Sequence, residues 1–235
     1  MPYYWLYYLV PVTLAFAQRN PALALGVLVF VALRPWLPDP VILMRNLSRI
    51  GSLKRQAHVN AANVIVRRDL AIAYLELRQP RTALRYIDEA LVRDPRNQEL
   101  AYLRGTALLR TNELEPALRS FGAALGIDPD SAEPLSSQSA RGNAGTFRRY
   151  GEALLGAAQA LEGLERFDQA EQALESASTY NTSILEPFVR LARVRRRKGD
   201  TAGADAASQE ARRTFTQLPA FMKRRQSGWW LRSWV

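Results

Sequence analysis

The clearest pattern along the chain is a set of small and apolar residues at helical spacing that returns after 34 residues. Segment 83–95 places Ala, Ile, Ala, Leu and Pro at the same offsets at which segment 117–129 places Ala, Phe, Ala, Leu and Pro. Apolar residues three and four apart lie on one side of an α-helix, and a proline marks the end of the helix before it. The pattern therefore predicts repeated helices.

This 34-residue pattern resembles the tetratricopeptide repeat (TPR), a helix–turn–helix unit in which small residues let two helices touch. The resemblance implies an all-α solenoid of about four repeats over residues 64–218, each contributing a helix A and a helix B. The last repeat is degenerate, because Arg195 stands where tyrosine or leucine is usual and Ser208 replaces the large residue of helix B. The predicted repeats are 64–97, 98–131, 151–184 and 185–218.

A polar stretch separates the second and third repeats. Ala170 follows Ala117 by 53 residues, which is 19 more than one repeat, and the extra residues lie in 132–150. Their Ser, Gly, Asn and Gln content predicts a flexible excursion from the solenoid. Phe147 and the two arginines after it are candidates for a partner contact, with a tolerated surface loop as the alternative.

Residues 1–40 contain two uncharged apolar runs, 3–17 and 22–33, with Arg19 between them. Each run is shorter than the ~20 residues that cross a bilayer, so the pattern favours a tight membrane hairpin that thins the bilayer or dips into it. Three alternatives stay open: a single crossing that buries Arg19, a cleaved signal peptide ending near Ala17, and packing inside a soluble core.

The ends of this predicted hairpin carry aromatic and basic residues of the kind found at membrane interfaces. Arg34 and further cations follow the second run, which predicts a repeat domain on the cytoplasmic side of a bacterial inner membrane. Packing against another membrane subunit would also explain the aromatic residues. The predicted interface residues in this part of the chain are Tyr3, Tyr4, Trp5, Tyr7, Tyr8 and Trp36.

Residues 41–63 connect the hairpin to the first repeat. Their apolar residues fall near a helical period, with Arg45 and Arg49 on another side. This pattern predicts an amphipathic helix on the inner leaflet whose two arginines reach anionic headgroups. A connector packed on the first repeat is the alternative.

Composition and charge narrow the chemistry. The chain has no cysteine and one histidine, His58, which excludes disulfides, thiolate metal sites and multi-histidine metal sites. The net charge of +10 resides in the ends, with +5 over 1–55, −4 over 56–187 and +9 over 188–235. Basic ends favour contact with anionic surfaces such as lipid headgroups. No phosphate loop, zinc motif or nucleophile elbow occurs, so the sequence predicts neither an enzyme nor a cofactor.

The last residues, 219–235, combine three tryptophans with a basic run. This combination favours a membrane interface or a protein hot spot, with stacking on nucleic acid as the minor alternative. The predicted interface residues here are Lys223, Arg224, Arg225, Trp229, Trp230 and Trp234.

The side chains of helix A line the concave face of TPR proteins, and this surface is called here the A-helix face. The resemblance implies that it binds a helix or an extended protein segment. Capture of a C-terminal carboxylate is not expected, because Ile72 and Thr106 stand where carboxylate-binding TPR proteins have asparagine. The candidate residues are Arg68, Ile72, Leu75, Tyr102, Leu109, Arg110, Leu155, Gln159, Val189, Arg193, Arg196 and Arg197.

Together these features predict a membrane-anchored TPR protein that acts as an interaction scaffold, an assembly factor or an accessory subunit of a membrane complex. Its expected partners are integral-membrane proteins and membrane lipids. The alternative is an adaptor that recruits a soluble client or nucleic acid, with the hairpin as a simple tether. The two differ in whether residues 1–40 can be exchanged for a foreign membrane segment.

Overall fold

The computed structural model describes residues 40–60, 62–127, 147–180 and 183–234, together with the isolated positions Ala22 and Leu25. The chain divides into two units, residues 1–49 and 50–235. The described residues form α-helices and no strand. The helices are α1 Pro40–Val59, α2 Val64–Glu76, α3 Pro80–Leu91, α4 Gln98–Arg110, α5 Leu114–Leu125, α6 Tyr150–Gly163, α7 Phe167–Tyr180, α8 Glu186–Lys198, α9 Thr201–Gln217 and α10 Ala220–Arg232.

Helices α2 to α9 form four consecutive helical hairpins. Each helix A (α2, α4, α6 and α8) packs against the helix B that follows it (α3, α5, α7 and α9), and each helix B packs against the helix A of the next hairpin. Apolar side chains at helical spacing drive this arrangement, since a single hairpin cannot bury its own apolar face. The prediction of an all-α fold built from TPR-like hairpins is confirmed.

The turn inside each hairpin uses one residue in the left-handed backbone conformation. These residues are Arg78, Asn112, Glu165 and Gly199, with φ of 57°, 64°, 60° and 87°. They follow one another at the same spacing as the repeats, 34, 53 and 34 residues. In every case the next backbone N–H donates to the carbonyl five residues earlier, at 2.9 to 3.0 Å. Such a bond satisfies a carbonyl that the end of helix A would otherwise leave unpaired.

Phe121 of α5 fills the space between the second and third hairpins. Its side chain is 1% exposed and packs in a core that also contains Leu154 and Ala157. Gly105 and Gly156 face this ring, and a Cβ on either would lie 2.8 or 2.5 Å from ring atoms. The two helix A backbones therefore approach the ring more closely than alanine would allow.

The unusual Arg195 of the fourth hairpin has a structural explanation. Its guanidinium donates to Glu171 at 2.7 Å and to Glu175 at 2.6 Å, both on α7 of the preceding hairpin. Lys198 also donates to Glu171, at 2.6 Å. An ion-pair network here replaces the tyrosine or leucine usual in the family. Ser208 is buried, so the small residue leaves the helix packing intact.

Helix α1 confirms the prediction of a helix between the hairpin and the first repeat. Within the larger unit, Ile50 and Leu53 are buried and the Lys54 ammonium lies 5.8 Å from the centre of the Tyr74 ring. A hydrogen bond and the charge interaction with Tyr74 raise the pKa of Lys54. Lys54, in the C-terminal half of α1, therefore contacts the first repeat, and both the connector and the amphipathic helix on the inner leaflet stay predictions. Contact of Arg49, which is exposed, with lipid remains a prediction.

The predicted membrane hairpin lies outside the described residues except at Ala22, Leu25 and Pro40, and so do its aromatic interface residues and the side chain of Arg45. None of the described helices combines the length and the apolar character needed to cross a membrane. Most of the insertion, 132–146, also lies outside the described part of the chain.

Candidate interaction surface

Side-chain contacts between successive A helices run along the A-helix face. At its start, Arg68 of α2 donates to Glu99 of α4 at 3.0 Å. The Tyr102 hydroxyl of α4 then donates to Glu152 of α6 at 2.9 Å. Since each pair bridges neighbouring repeats, these helix A side chains share one surface.

The same line of contacts continues into the fourth repeat. The Gln159 side chain of α6 donates to Glu186 of α8 at 3.1 Å. Arg190 of α8 donates back to Glu162 at 3.3 Å and to Glu186 at 2.8 Å. The A-helix face is therefore linked by polar side chains from α2 to α8.

Tyr102 lies at the centre of an aromatic cluster on this surface. Its ring centre is 6.1 Å from that of Phe121 and 6.3 Å from that of Phe147. The Arg149 guanidinium lies 5.4 Å from the ring centre. Burial, followed by the charge of Glu152, raises the pKa of the Tyr102 hydroxyl, which therefore stays protonated as a donor.

Phe147 is buried against this cluster and belongs to the core of the second and third repeats. Its ring lies edge-on to the Tyr102 ring, so the structure gives it a packing role, and its contact with a partner stays a prediction. Arg149 is likewise engaged, whereas Arg148 is exposed. Sequence reasoning missed this role because the burying partner lies 45 residues earlier in the chain.

The apolar candidates on the A-helix face divide into two groups. Ile72, Leu109 and Leu155 are half-buried and keep part of their surface open. Leu75 and Val189 are instead buried, at 6% and 4% exposure, so neither presents a surface to a partner. Both lie in the packed interior, where the helices exclude solvent.

The arginine candidates also differ in position. Arg193 is exposed, and Arg197 is exposed with its guanidinium 5.7 Å from the Phe167 ring centre. Arg110 donates to the Leu75 carbonyl at 2.5 Å and so links α4 to α2. Arg196 reaches Ser208 of α9 at 3.5 Å, which places it on the side of α8 that faces helix B, away from the predicted A-helix face.

Glu162 is the carboxylate on this surface whose protonation is most affected by burial. Burial raises the pKa of the Glu162 carboxyl above its ordinary value, and the positive charges of Arg190, Arg193 and Arg197 offset this only in part. The close ion pair with Arg190 therefore does not hold the pKa down. Partial burial of the Glu162 carboxylate at this end of the A-helix face therefore costs free energy when the group is charged.

A cleft of about 1340 Å³ opens where the A-helix face meets the turn between α3 and α4. Its lining includes Arg68, Glu99, Arg149 and Glu152, together with residues 94–97 of that turn. Four charged groups of alternating sign at the edge of an open concavity suit a polar segment of another protein better than an apolar ligand. The sequence did not indicate this cleft.

The predicted interface residues of the last segment lie on or beside α10. Trp229 and Trp230 are half-buried, and Trp234 is 60% exposed. The Lys223 ammonium donates to the Thr216 carbonyl at 2.8 Å. Arg224 and Arg225 are exposed. Two of the three tryptophans are therefore half-buried.

The comparisons with known proteins agree with this geometry. Residues 68–132 match the tetratricopeptide repeat family. No curated protein matches the chain. The fold is similar to MamA residues 41 to the end from Desulfovibrio magneticus RS-1, at 17% identity and a TM-score of 0.60, covering 78% of this chain and 99% of that one. It is also similar to another MamA crystal structure, at 16% identity and a TM-score of 0.59, covering 70% and 85%. Similarity at this level of identity establishes the fold.

Proposed function

We propose that this chain, whose residues 68–132 match the tetratricopeptide repeat family, is a membrane-anchored scaffold, assembly factor or accessory subunit that binds proteins on its A-helix face. The observation that carries the proposal is the series of side-chain contacts that join each helix A to the next, from α2 to α8. Repeat solenoids use such extended surfaces for binding. The TPR fold thus supports protein–protein interaction as the general role.

The chemistry of the A-helix face fits a peptide or helix of another protein. Ile72, Leu109 and Leu155 offer apolar surface, and Arg193 and Arg197 add exposed positive charge near one end. Half-buried apolar side chains beside charged ones are typical of helix-binding and strand-binding surfaces.

The membrane part of the proposal rests on the sequence of residues 1–40. Two uncharged apolar runs flanked by aromatic residues support a membrane hairpin, and the cations after them support a cytoplasmic repeat domain at a bacterial inner membrane. Partners embedded in the same membrane would contact both the hairpin and the repeat domain. Integral-membrane subunits are therefore the proposed partners.

Affinity purification in mild detergent, with mass spectrometry, tests the proposal. Three forms are compared: the full chain, a form that begins at residue 41, and a full-length double variant, Ile72→Glu with Leu155→Glu. Val92→Glu is the matched control, because Val92 is 82% exposed in the turn between α3 and α4. Circular dichroism establishes that each variant keeps its helices.

We expect integral-membrane partners with the full chain and the control, and their loss from the double variant and from the form that begins at residue 41. Soluble partners that the shortened form retains would instead identify an adaptor whose hairpin only sets location. A folded double variant that keeps every partner would contradict binding on the A-helix face.

A further inference from the structure

The tryptophans of the last segment fix α10 on the fourth repeat. Trp230 stacks on Phe215 of α9 with ring centres 5.2 Å apart, and it meets Trp234 edge-on at 6.0 Å. The Arg212 guanidinium lies 4.0 Å from the Trp234 ring centre and donates to the Ser233 carbonyl at 2.8 Å. This packing determines which side of α10 faces outward.

The outward side of α10 carries large apolar and basic side chains together. Phe221 is 70% exposed and Leu231 is 61% exposed. Arg224, Arg225 and Arg232 are exposed on the same side, since residues three, four and seven apart share a helix face. These five residues define the α10 outer face.

The charge of α10 has one sign only. The helix contains Lys223, Arg224, Arg225 and Arg232 and no acidic residue. Neither Arg224 nor Arg225 forms an ion pair with any carboxylate of the described residues. Exposed Phe and Leu beside arginine are unfavourable in water and favourable at the boundary between headgroups and acyl chains.

We propose that the α10 outer face lies on the surface of a bilayer that contains anionic lipids. Arginines are attracted to the negative surface of such a leaflet, and Phe221 and Leu231 enter the interface. The inference deepens the proposed function and rests on its membrane location. Stable attachment to a membrane commonly requires two membrane-binding elements. In this chain α10 would be the second such element, in addition to residues 1–40.

The position of α10 relative to lipid can be measured on the full chain. Because the chain has no cysteine, Ser227→Cys places one fluorescent label on the exposed side of α10, and Gln172→Cys places one on α7 as the control. The labelled proteins are reconstituted into phosphatidylcholine vesicles with and without phosphatidylglycerol. A headgroup spin-labelled lipid serves as the quencher, and flotation reports binding of the whole chain.

We expect quenching of the label at 227 only in vesicles that contain phosphatidylglycerol, and its loss at high salt. Arg224→Gln with Arg225→Gln should abolish the quenching. The matched pair Arg81→Gln with Arg85→Gln, on exposed positions of α3, should leave it unchanged. Phe221→Ser should weaken it.

Equal quenching of the labels at 227 and 172 in anionic vesicles would overturn the inference. The inference would also be overturned if an acidic polypeptide, and not the vesicles, shielded the 227 label from solvent. Flotation separates this failure from that of the proposed function. Flotation on both kinds of vesicle, without quenching at 227 in either, supports the hairpin and overturns the role of α10. Flotation only on anionic vesicles, together with quenching at 227, supports the contact of the α10 outer face with lipid. The same result contradicts a membrane hairpin in residues 1–40.

Discussion

At the residue scale, the contact of Phe121 with two glycines controls the packing of the second repeat against the third. Gly156→Ala would place a Cβ 2.5 Å from the ring of a side chain that is 1% exposed. Overpacking of this kind costs ~1–3 kcal/mol. The higher helix propensity of alanine recovers only ~1 kcal/mol or less. We therefore expect a lower free energy of unfolding, measured by chemical denaturation.

Gly228→Ala is the matched control for this prediction. Gly228 also lies inside a helix, but nothing lies within 4 Å of the position of its Cβ. The substitution should leave stability unchanged or raise it by up to ~1 kcal/mol. Equal effects at positions 156 and 228 would show that the close approach to Phe121 is not a constraint.

The raised pKa of Glu162 makes the stability of the A-helix face depend on pH. The folded chain holds this proton more tightly than the unfolded chain, so the contribution of Glu162 to stability falls as the pH rises from its ordinary pKa of 4.5 through its folded value. Glu162→Gln should remove this dependence. As the pH rises through that window, the free energy of unfolding of the variant should therefore increase relative to that of the parent.

Glu171 provides the opposite case within the same fold. Burial acts to raise its pKa, but the hydrogen bonds from Lys198 and Arg195 outweigh it, and the pKa is lowered from 4.5. Its contribution to stability is therefore present above 4.5 and lost as the pH falls through the folded pKa. Glu171→Gln should lower the free energy of unfolding most at pH values above 4.5. Parallel pH profiles for the Glu162 and Glu171 variants would contradict the assigned environments.

At the scale of the element, each hairpin turn contains one residue in the left-handed backbone conformation. A side chain in this conformation costs ~1–2 kcal/mol relative to glycine. Glu165 is exposed, so Glu165→Gly should raise the midpoint of thermal unfolding. Gly199→Ala, at the equivalent position of the next repeat, should lower it. The same sign for both substitutions would mean that the turns do not share one backbone design.

The sequence was sufficient to predict these hairpins but not their turns. Helix A and helix B follow from small residues at 34-residue spacing, because close helix contacts require them. Arg78 and Glu165 give no such signal, because side chains other than glycine, asparagine and aspartate rarely adopt the left-handed conformation. The ion pair between Arg195 and Glu171 could not be predicted from the sequence either, because the two residues are 24 positions apart and only helix packing brings them together.

At the scale of the whole molecule, sequence and structure contribute different parts of the account. The sequence predicts the A-helix face from the family resemblance, and the contacts Arg68–Glu99 and Tyr102–Glu152 show that its members share a surface. The burial of Leu75 and Val189 could not be predicted from the sequence, because one turn of helix separates an open position from a packed one. The tryptophans of the last segment were predicted as interface residues, yet two of them hold α10 in place.

Site-specific photo-crosslinking in cells tests binding on the A-helix face most directly. A photoreactive amino acid is placed in the full chain at Ile72, at Leu155, or at the exposed Val92 outside this surface. We expect covalent adducts with the same membrane-protein partner from positions 72 and 155 and none from position 92. Adducts from position 92 alone would contradict the account, because the partner would then bind a different surface of the repeats.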